Sequence, residues 1–225
     1  MECFLIVSVI KTVDKPLSYS TKRSVYSVEE RILQTENTIS SIRKKLPNAF
    51  IILFEVGLRD VRNIFENLVD EYHYQSDKII RSSVDSKFKG LGESISVSRA
   101  LSLIDKTRFD RVIKISGRYI LDKSFNLESF KSDKFSFLVR EHNTTKSLGP
   151  FKINDIKSYS TVLYSIPTVR FLQFKFILFC AVPLLILNVS IESALYILIP
   201  KKTVNMLNRL GVSGEISISG EKIVL

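Results

Sequence analysis

Two short stretches carry the side chains best suited to holding a charged ligand. Lys114-Ile115-Ser116-Gly117-Arg118-Tyr119 closes an apolar run that begins near Arg111. In open α/β sheets ligands settle in the crevice outside the carboxyl ends of the strands, so side chains at this point face the place a ligand would occupy. Arg118 offers a planar fork of donors matched to phosphate, and Gly117 would let the backbone come close to a ligand. The same residues equally suit a plain strand-to-loop turn in which Arg118 pairs with a surface carboxylate. The second stretch, Lys89-Gly90-Leu91-Gly92-Glu93, reads as a glycine loop opening a helix. Backbone N–H groups at a helix start attract anions, and Lys89 adds to the attraction. Two glycines before a helix also serve as a simple connection. Neither the phosphate-loop pattern of P-loop proteins nor a GxGxxG fingerprint occurs, which sets those nucleotide-binding classes aside.

Strands and helices must bring these groups together. Residues 4–10 form a continuous, partly β-branched apolar run of the kind buried on both faces of a parallel sheet. Residues 14–25 read as a long loop over the end of that strand, and long ordered loops are commonly functional. Residues 29–46 place apolar side chains at helical spacing, with Lys44-Lys45 near the negative end of the dipole and Pro47 as terminator. Residues 49–56 predict a second buried strand broken by Gly57. An amphipathic helix is expected over 60–72, a short strand over 77–82, a helix over 93–105 and a strand over 111–116 ended by Gly117. This alternation predicts a right-handed, mostly parallel α/β sheet.

The second half is less regular. Strands are expected over 135–140 and 160–165, with Leu148-Gly149-Pro150 as a turn between them. Residues 169–200 are the most apolar part, interrupted by Lys175, Pro183, Asn188 and Glu192, so that no unbroken run reaches the length of a spanning helix. Two buried helices joined near Asn188 are the favoured reading, with a peripheral membrane contact as the other. Residues 211–221 alternate apolar and polar positions around glycines, as a terminal hairpin or edge strand does.

Composition bounds the partners. The 225 residues suffice for one large domain, and a net charge of +10 points to an anionic partner: a phosphorylated substrate, a membrane surface or nucleic acid. No zinc-finger spacing, aromatic RNA-binding signature or basic arm is present, so nucleic acid is not expected. Cys3 and Cys180 lie in apolar surroundings and suggest neither a disulfide nor a metal site. The N-terminal apolar run has no basic segment before it and is short for a signal peptide, so a cytoplasmic protein is expected, peripheral at the inner membrane face if it meets a membrane at all. The Asn-x-Ser/Thr matches at Asn143 and Asn188 then carry no glycosylation meaning.

With these stretches in view, the sequence resembles a family of small GT-A-like glycosyltransferases known from bacterial surface-polysaccharide clusters and large DNA viruses. The stretches that carry the resemblance begin with Gln34-Thr35, Thr38-Ile39-Ser40-Ser41-Ile42-Arg43, Pro47 and the strand ending at Glu55. They continue through Lys89-Gly90-Leu91-Gly92-Glu93, Lys114 to Tyr119, Tyr164-Ser165-Ile166-Pro167, Ile191-Glu192 and Gly211-Val212-Ser213-Gly214. It spans most of the chain. It implies a single GT-A-like α/β domain with a helical and hairpin C-terminal part, in which residues 1–122 form a nucleotide-binding half and 123–225 an acceptor-side half.

The resemblance implies a nucleotide-sugar donor, with Ser8 and Thr12 beside the nucleotide and Ser116, Gly117, Arg118 and Tyr119 beside the diphosphate and sugar. Its acceptor would be a polysaccharide or lipid-linked glycan. Members of this fold ordinarily hold manganese or magnesium on an Asp-x-Asp at the central strand's end, where this chain has Ser116-Gly117-Arg118. A departing nucleoside diphosphate develops negative charge that a metal or fixed cations must neutralise, and Lys89, Lys114 and Arg118 could do so. An inverting transfer needs a carboxylate to take the acceptor's proton. Glu192 is the first candidate, because a lone acid in an apolar stretch is desolvated unless paired; capping a helix or pairing with Lys175 is the alternative. Glu141, beside His142, is the second. A binding protein that keeps the fold without the chemistry is the competing expectation.

Overall fold

The apolar runs at residues 4–10, 49–56 and 111–116 become the middle of one mixed sheet. The computed structural model describes residues 2–142, 146–148, 151–153 and 156–225. In chain order the first half comprises β1 (Cys3–Ser8), α1 (Val28–Lys45), β2 (Phe50–Glu55), α2 (Arg62–Phe65), β3 (Glu71–Tyr74), α3 (Lys78–Val84), α4 (Lys89–Leu103), β4 (Arg111–Ser116) and β5 (Tyr119–Leu121). The second half adds β6 (Phe135–His142), β7 (Lys146–Leu148), β8 (Phe151–Ile153), β9 (Ile156–Tyr159), β10 (Leu163–Pro167), α5 (Phe171–Ile186), α6 (Ile191–Leu198), β11 (Val204–Leu207), β12 (Val212–Glu215) and β13 (Lys222–Val224).

The main sheet runs β11-β6-β10-β4-β1-β2-β3, with β9 pairing to β6. β4, β1, β2 and β3 are mutually parallel, and β10 is antiparallel to both of its neighbours. From β1 the chain steps to β2 on one side and later returns to β4 on the other. The reversal opens a crevice between the carboxyl ends of β1 and β4, where Val7 pairs with Ser116.

Period-two alternation divides the core. Phe4, Ile6, Ile113 and Ile115 face the side covered by α1, whereas Cys3, Leu5 and Val112 face α4, α5 and α6. Because both faces are covered, the central strands are apolar at nearly every position. α1 begins with a capping box: Ser27 Oγ accepts from the Glu30 amide at 3.1 Å, and Glu30 Oε2 accepts from the Ser27 amide at 2.7 Å. Such a cap stabilises a helix by about 1 kcal/mol. The result is a single α/β domain with a mostly parallel sheet flanked by helices, and β12 and β13 form the expected C-terminal hairpin, extended by β5.

Several expected elements differ. Residues 60–72 hold the four-residue α2 and then enter β3, where Tyr72 and Tyr74 supply strand-forming aromatics. Residues 77–82 are helical, because Asp77 Oδ1 accepts from the amides of Ile79 and Ile80 at 2.9 and 3.2 Å and caps α3. α4 starts at Lys89 instead of 93, so Gly90 and Gly92 lie inside its first turn and a half. Residues 169–200 do form two helices joined at Asn188, which takes a positive φ of 67°, yet α5 has a bare outer face and is not a buried helix. Of the expected turn at 148–150, Gly149 and Pro150 lie outside the described residues.

Candidate functional site

A cavity opens in the crevice between β1 and β4. Its lining includes Val7, Val9 and Thr12 from β1 and the loop after it, Lys114, Ser116 and Arg118 from β4, and Lys89, Glu93 and Ser96 from α4. Arg23, Arg31 and Ser217 close it from the loop, α1 and the C-terminal turn. Five cationic side chains thus meet two carboxylates, Asp85 and Glu93, and each carboxylate is already engaged. Asp85 lies 3.5 Å from Arg81, and Glu93 Oε1 accepts from Lys114 Nζ at 2.7 Å.

Lys114 is the structural cation of the group. It is 1% exposed and also donates to Ser116 Oγ at 3.1 Å and to the Thr161 carbonyl at 2.7 Å, which uses all three of its donors. Burial alone would push the Glu93 carboxyl up, but Lys114, Lys89 and Arg118 together hold it below the usual carboxylate range. Arg31 is likewise committed, to Val9 O, to Ser24 Oγ at 3.2 Å and to Ser217 Oγ at 3.0 Å, and among the described residues it has no ion pair with a carboxylate. Burial, and then the neighbouring Arg118 charge, push its guanidinium down to about 10. Arg23 ties the loop to the end of α3 through Val84 O at 2.9 Å and Ser86 O at 2.6 Å.

Lys89 and Arg118 differ from these. Neither side chain has a hydrogen-bond or ion-pair partner among the described residues, and the Arg118 Nε is buried and unsatisfied, as is Ser96 Oγ. Burial first, and then the Arg118 charge, push the Lys89 ammonium down to about 8. Crowded cations with free donors in a partly dry cleft bind an anion with gain, because the ligand supplies the missing hydrogen bonds and relieves the mutual repulsion.

The remaining expected site residues fall in different places. Thr12 lines the cavity. Ser8 is buried beside Glu55 in the β1–β2 ladder, outside the lining. Gly90 packs on α5 and α6, where a Cβ would come within 2.9 Å of Leu185 Cδ2 and 3.3 Å of Ile191 Cβ, so its missing Cβ serves close helix packing, and it does not line the cavity. Gly117 likewise admits a neighbour and not a ligand: its carbonyl accepts from Thr35 Oγ1 at 3.1 Å, and a Cβ would sit 3.0 Å from that oxygen. Tyr119 is buried against the C-terminal hairpin, with its ring beneath Gly214.

The two carboxylate candidates also separate. Glu192 lies in the first turn of α6, which Ser190 caps, and its Oε1 accepts from Thr161 Oγ1 at 3.1 Å. It too stands outside the cavity lining, but it is near enough to favour the charged form of Lys89, and Lys175 is elsewhere, donating to Ser102 Oγ at 2.7 Å. Glu141 is exposed on β6 and paired with Lys157 at 2.6 Å, which lowers its carboxyl and makes it a weak base away from the cavity lining. Of His142 only the backbone is described.

Arg31, Ser217 and Glu55 stand outside the residues that the sequence singles out as site candidates. Arg31 shares the inward face of α1 with Thr35, Thr38 and Ile42, so a charged residue on a core-facing stripe was the available signal. Ser217 arrives from 186 positions away and left no local trace. Glu55, fully buried at the end of β2, accepts from the amides of Ile10 at 2.8 Å and Gly57 at 2.7 Å, and so fixes where the chain leaves β1 and β2. Burial pushes its carboxyl up to about 7.

A mixed sheet with a crevice at its strand reversal, flanked by helices and closed by a C-terminal hairpin, defines a GT-A-like α/β domain. Its fold matches the galactosyltransferase LgtC, solved with donor and acceptor sugar analogs, at a TM-score of 0.56 and 6% identity over 94% of this chain and 86% of that one. The glycosyltransferase GlyE of Streptococcus pneumoniae matches at 0.50 and 10% identity, over 92% of this chain but only 46% of its own. A nucleoside-diphosphate-sugar pyrophosphorylase from Vibrio cholerae matches at 0.50 and 12% identity, over 92% and 93% of the two chains. No family model matches the sequence, and no curated protein matches it.

Proposed function

We propose that this protein is a glycosyltransferase that moves a sugar from a nucleoside-diphosphate donor to a glycan acceptor. The observation that carries the reading is the pair of cations in the crevice at the strand reversal, Lys89 and Arg118, whose side chains have no hydrogen-bond or ion-pair partner among the described residues. Both would hold the diphosphate, with Arg31 adding positive potential from below and Thr12 beside the nucleotide. The acceptor hydroxyl would attack the anomeric carbon as its bond to the diphosphate oxygen breaks. The electron pair would leave with the nucleoside diphosphate, onto Lys89 and Arg118, and the proton would pass to Glu192.

The fold shared with LgtC, which was solved with donor and acceptor sugar analogs, supports this reading. A polysaccharide or lipid-linked glycan is the acceptor class we favour, with the reaction at the cytoplasmic face of a membrane. A divalent metal does not fit the residues present: the end of β4 offers Ser116-Gly117-Arg118, and the adjacent carboxylate, Glu93, is neutralised by Lys114. We therefore assign charge neutralisation to the protein's own cations.

Release of nucleoside diphosphate from a panel of nucleotide-sugars, with and without glycan acceptors, tests the proposal. Turnover that falls at least about a hundredfold in Arg118→Ala and in Glu192→Gln, with both variants folded, is the expected result. The substitution of Ser-Gly-Arg for acidic residues also favours a second reading, a protein that binds the donor without transfer. Donor binding with no release under any acceptor would select it.

A further inference from the structure

We infer that the outer face of α5 is a membrane-contact surface that takes an anionic lipid bilayer. Leu172, Phe176, Phe179, Pro183 and Ile186 recur at intervals of four, three, four and three, so they form one stripe along the helix. It points away from the protein: Leu172 is 74% exposed, Phe176 65% and Phe179 73%. The opposite face, including Phe171, Phe174, Leu178 and Ala181, is buried in the core with α4, α6 and β10. Scattered exposed apolar residues are ordinary, but a contiguous stripe with two phenylalanines at its centre marks a contact surface.

Charge chooses the occupant. Between residues 168 and 203 the chain carries Arg170, Lys175, Lys201 and Lys202 but a single carboxylate, Glu192, which is hydrogen-bonded to Thr161. An apolar stripe in a cationic segment is what an interfacial helix presents to anionic headgroups while its side chains enter the acyl boundary. A second copy of the chain would instead set this cationic segment against its own likeness. The segment Thr168–Ile186, at 19 residues, is long and apolar enough to cross a bilayer by length and composition. Spanning would strip its inner face from the core, so the helix lies along the surface with the rest of the domain outside.

The inference requires no donor, so it stands or fails separately from the transfer reading. Flotation with phosphatidylcholine vesicles containing about one third phosphatidylglycerol tests it, read against pure phosphatidylcholine and at rising salt. Expected are binding to the anionic vesicles, weakening with salt, and a loss of about tenfold or more in the bound-to-free ratio for Phe176→Ser/Phe179→Ser. That variant alters only exposed side chains, and an unchanged thermal melt would confirm its fold. The lipid and salt series on the unaltered protein tests the inference without any variant. No binding to anionic vesicles, or binding that the double variant leaves intact, would overturn it. So would a concentration-dependent dimer in light scattering that the variant abolishes, which would make the stripe a self-interface.

Discussion

Lys114 and Glu93 form the internal ion pair of the cleft, Nζ to Oε1 at 2.7 Å, with the lysine on β4 and the glutamate on α4. The pair locks helix to sheet and commits Glu93 first to Lys114, although its charge still acts on Lys89 and Arg118. Breaking it from one side strands a charge. Lys114→Met should cost about 3 kcal/mol in urea unfolding, and Lys114→Met/Glu93→Leu should recover most of that loss. Equal destabilisation in the single and double variants would show that the pair does not hold the elements together.

Arg118 contributes nothing comparable to the fold. Its side chain has no partner among the described residues and its Nε is buried unsatisfied, so Arg118→Ala should leave thermal stability within about 0.5 kcal/mol of the parent. The same change should weaken nucleoside-diphosphate binding tenfold to about a hundredfold, the range for losing a charge-assisted contact. A large drop in melting temperature would mean that the guanidinium is structural.

Under the proposed function, Lys89 would make anion binding depend on pH. Its folded value, about 8, lies below the ordinary lysine value, and an anion binds the protonated form. Affinity should therefore be full below pH 7 and fall as pH rises through 8, by about tenfold for each unit beyond. Lys89→Arg should flatten the profile up to pH 9. Calorimetric titrations at pH 7, 8 and 9 check both statements.

Glu55 sets a second pH dependence, in stability. Its carboxyl is raised to about 7 in the folded protein, so the fold favours the protonated group. That contribution is complete below the unfolded value near 4.5 and is lost as pH rises through 7. Gln keeps an acceptor for the Ile10 and Gly57 amides without the buried charge. Glu55→Gln should thus be close to neutral at pH 4.5 and gain on the order of 1–2 kcal/mol relative to the parent at pH 8, read by thermal melts at the two pH values.

The three central parallel strands are legible because burial on both faces leaves no alternation to misread, as the runs ending at Ser8, Glu55 and Ser116 show, whereas the parallel edge strand β3 is not. The errors arose where local and tertiary demands diverge. Lys78-Ile79-Ile80 carries β-branched residues, yet the Asp77 cap decides for helix. Gly90 and Gly117 look like ligand glycines because sequence cannot tell a ligand from a packed helix as the reason for a missing Cβ. Lys89, Lys114 and Arg118 were visible as cations, but which two stay free depends on Glu93 and Thr161, and only folding brings those to Lys114. Ser217, which folding brings to Arg31 from across the chain, leaves no local trace for the same reason.

On the proposed function the protein's own Lys89 and Arg118 grip a diphosphate without help from a metal. Isothermal titration of uridine and guanosine diphosphates into the protein in excess chelator tests it most directly. Binding of at least one nucleotide in chelator, reduced at least about tenfold in each of Lys89→Ala and Arg118→Ala, is the expected result. Binding that vanishes in chelator and returns with manganese, or that both variants leave unchanged, would contradict it.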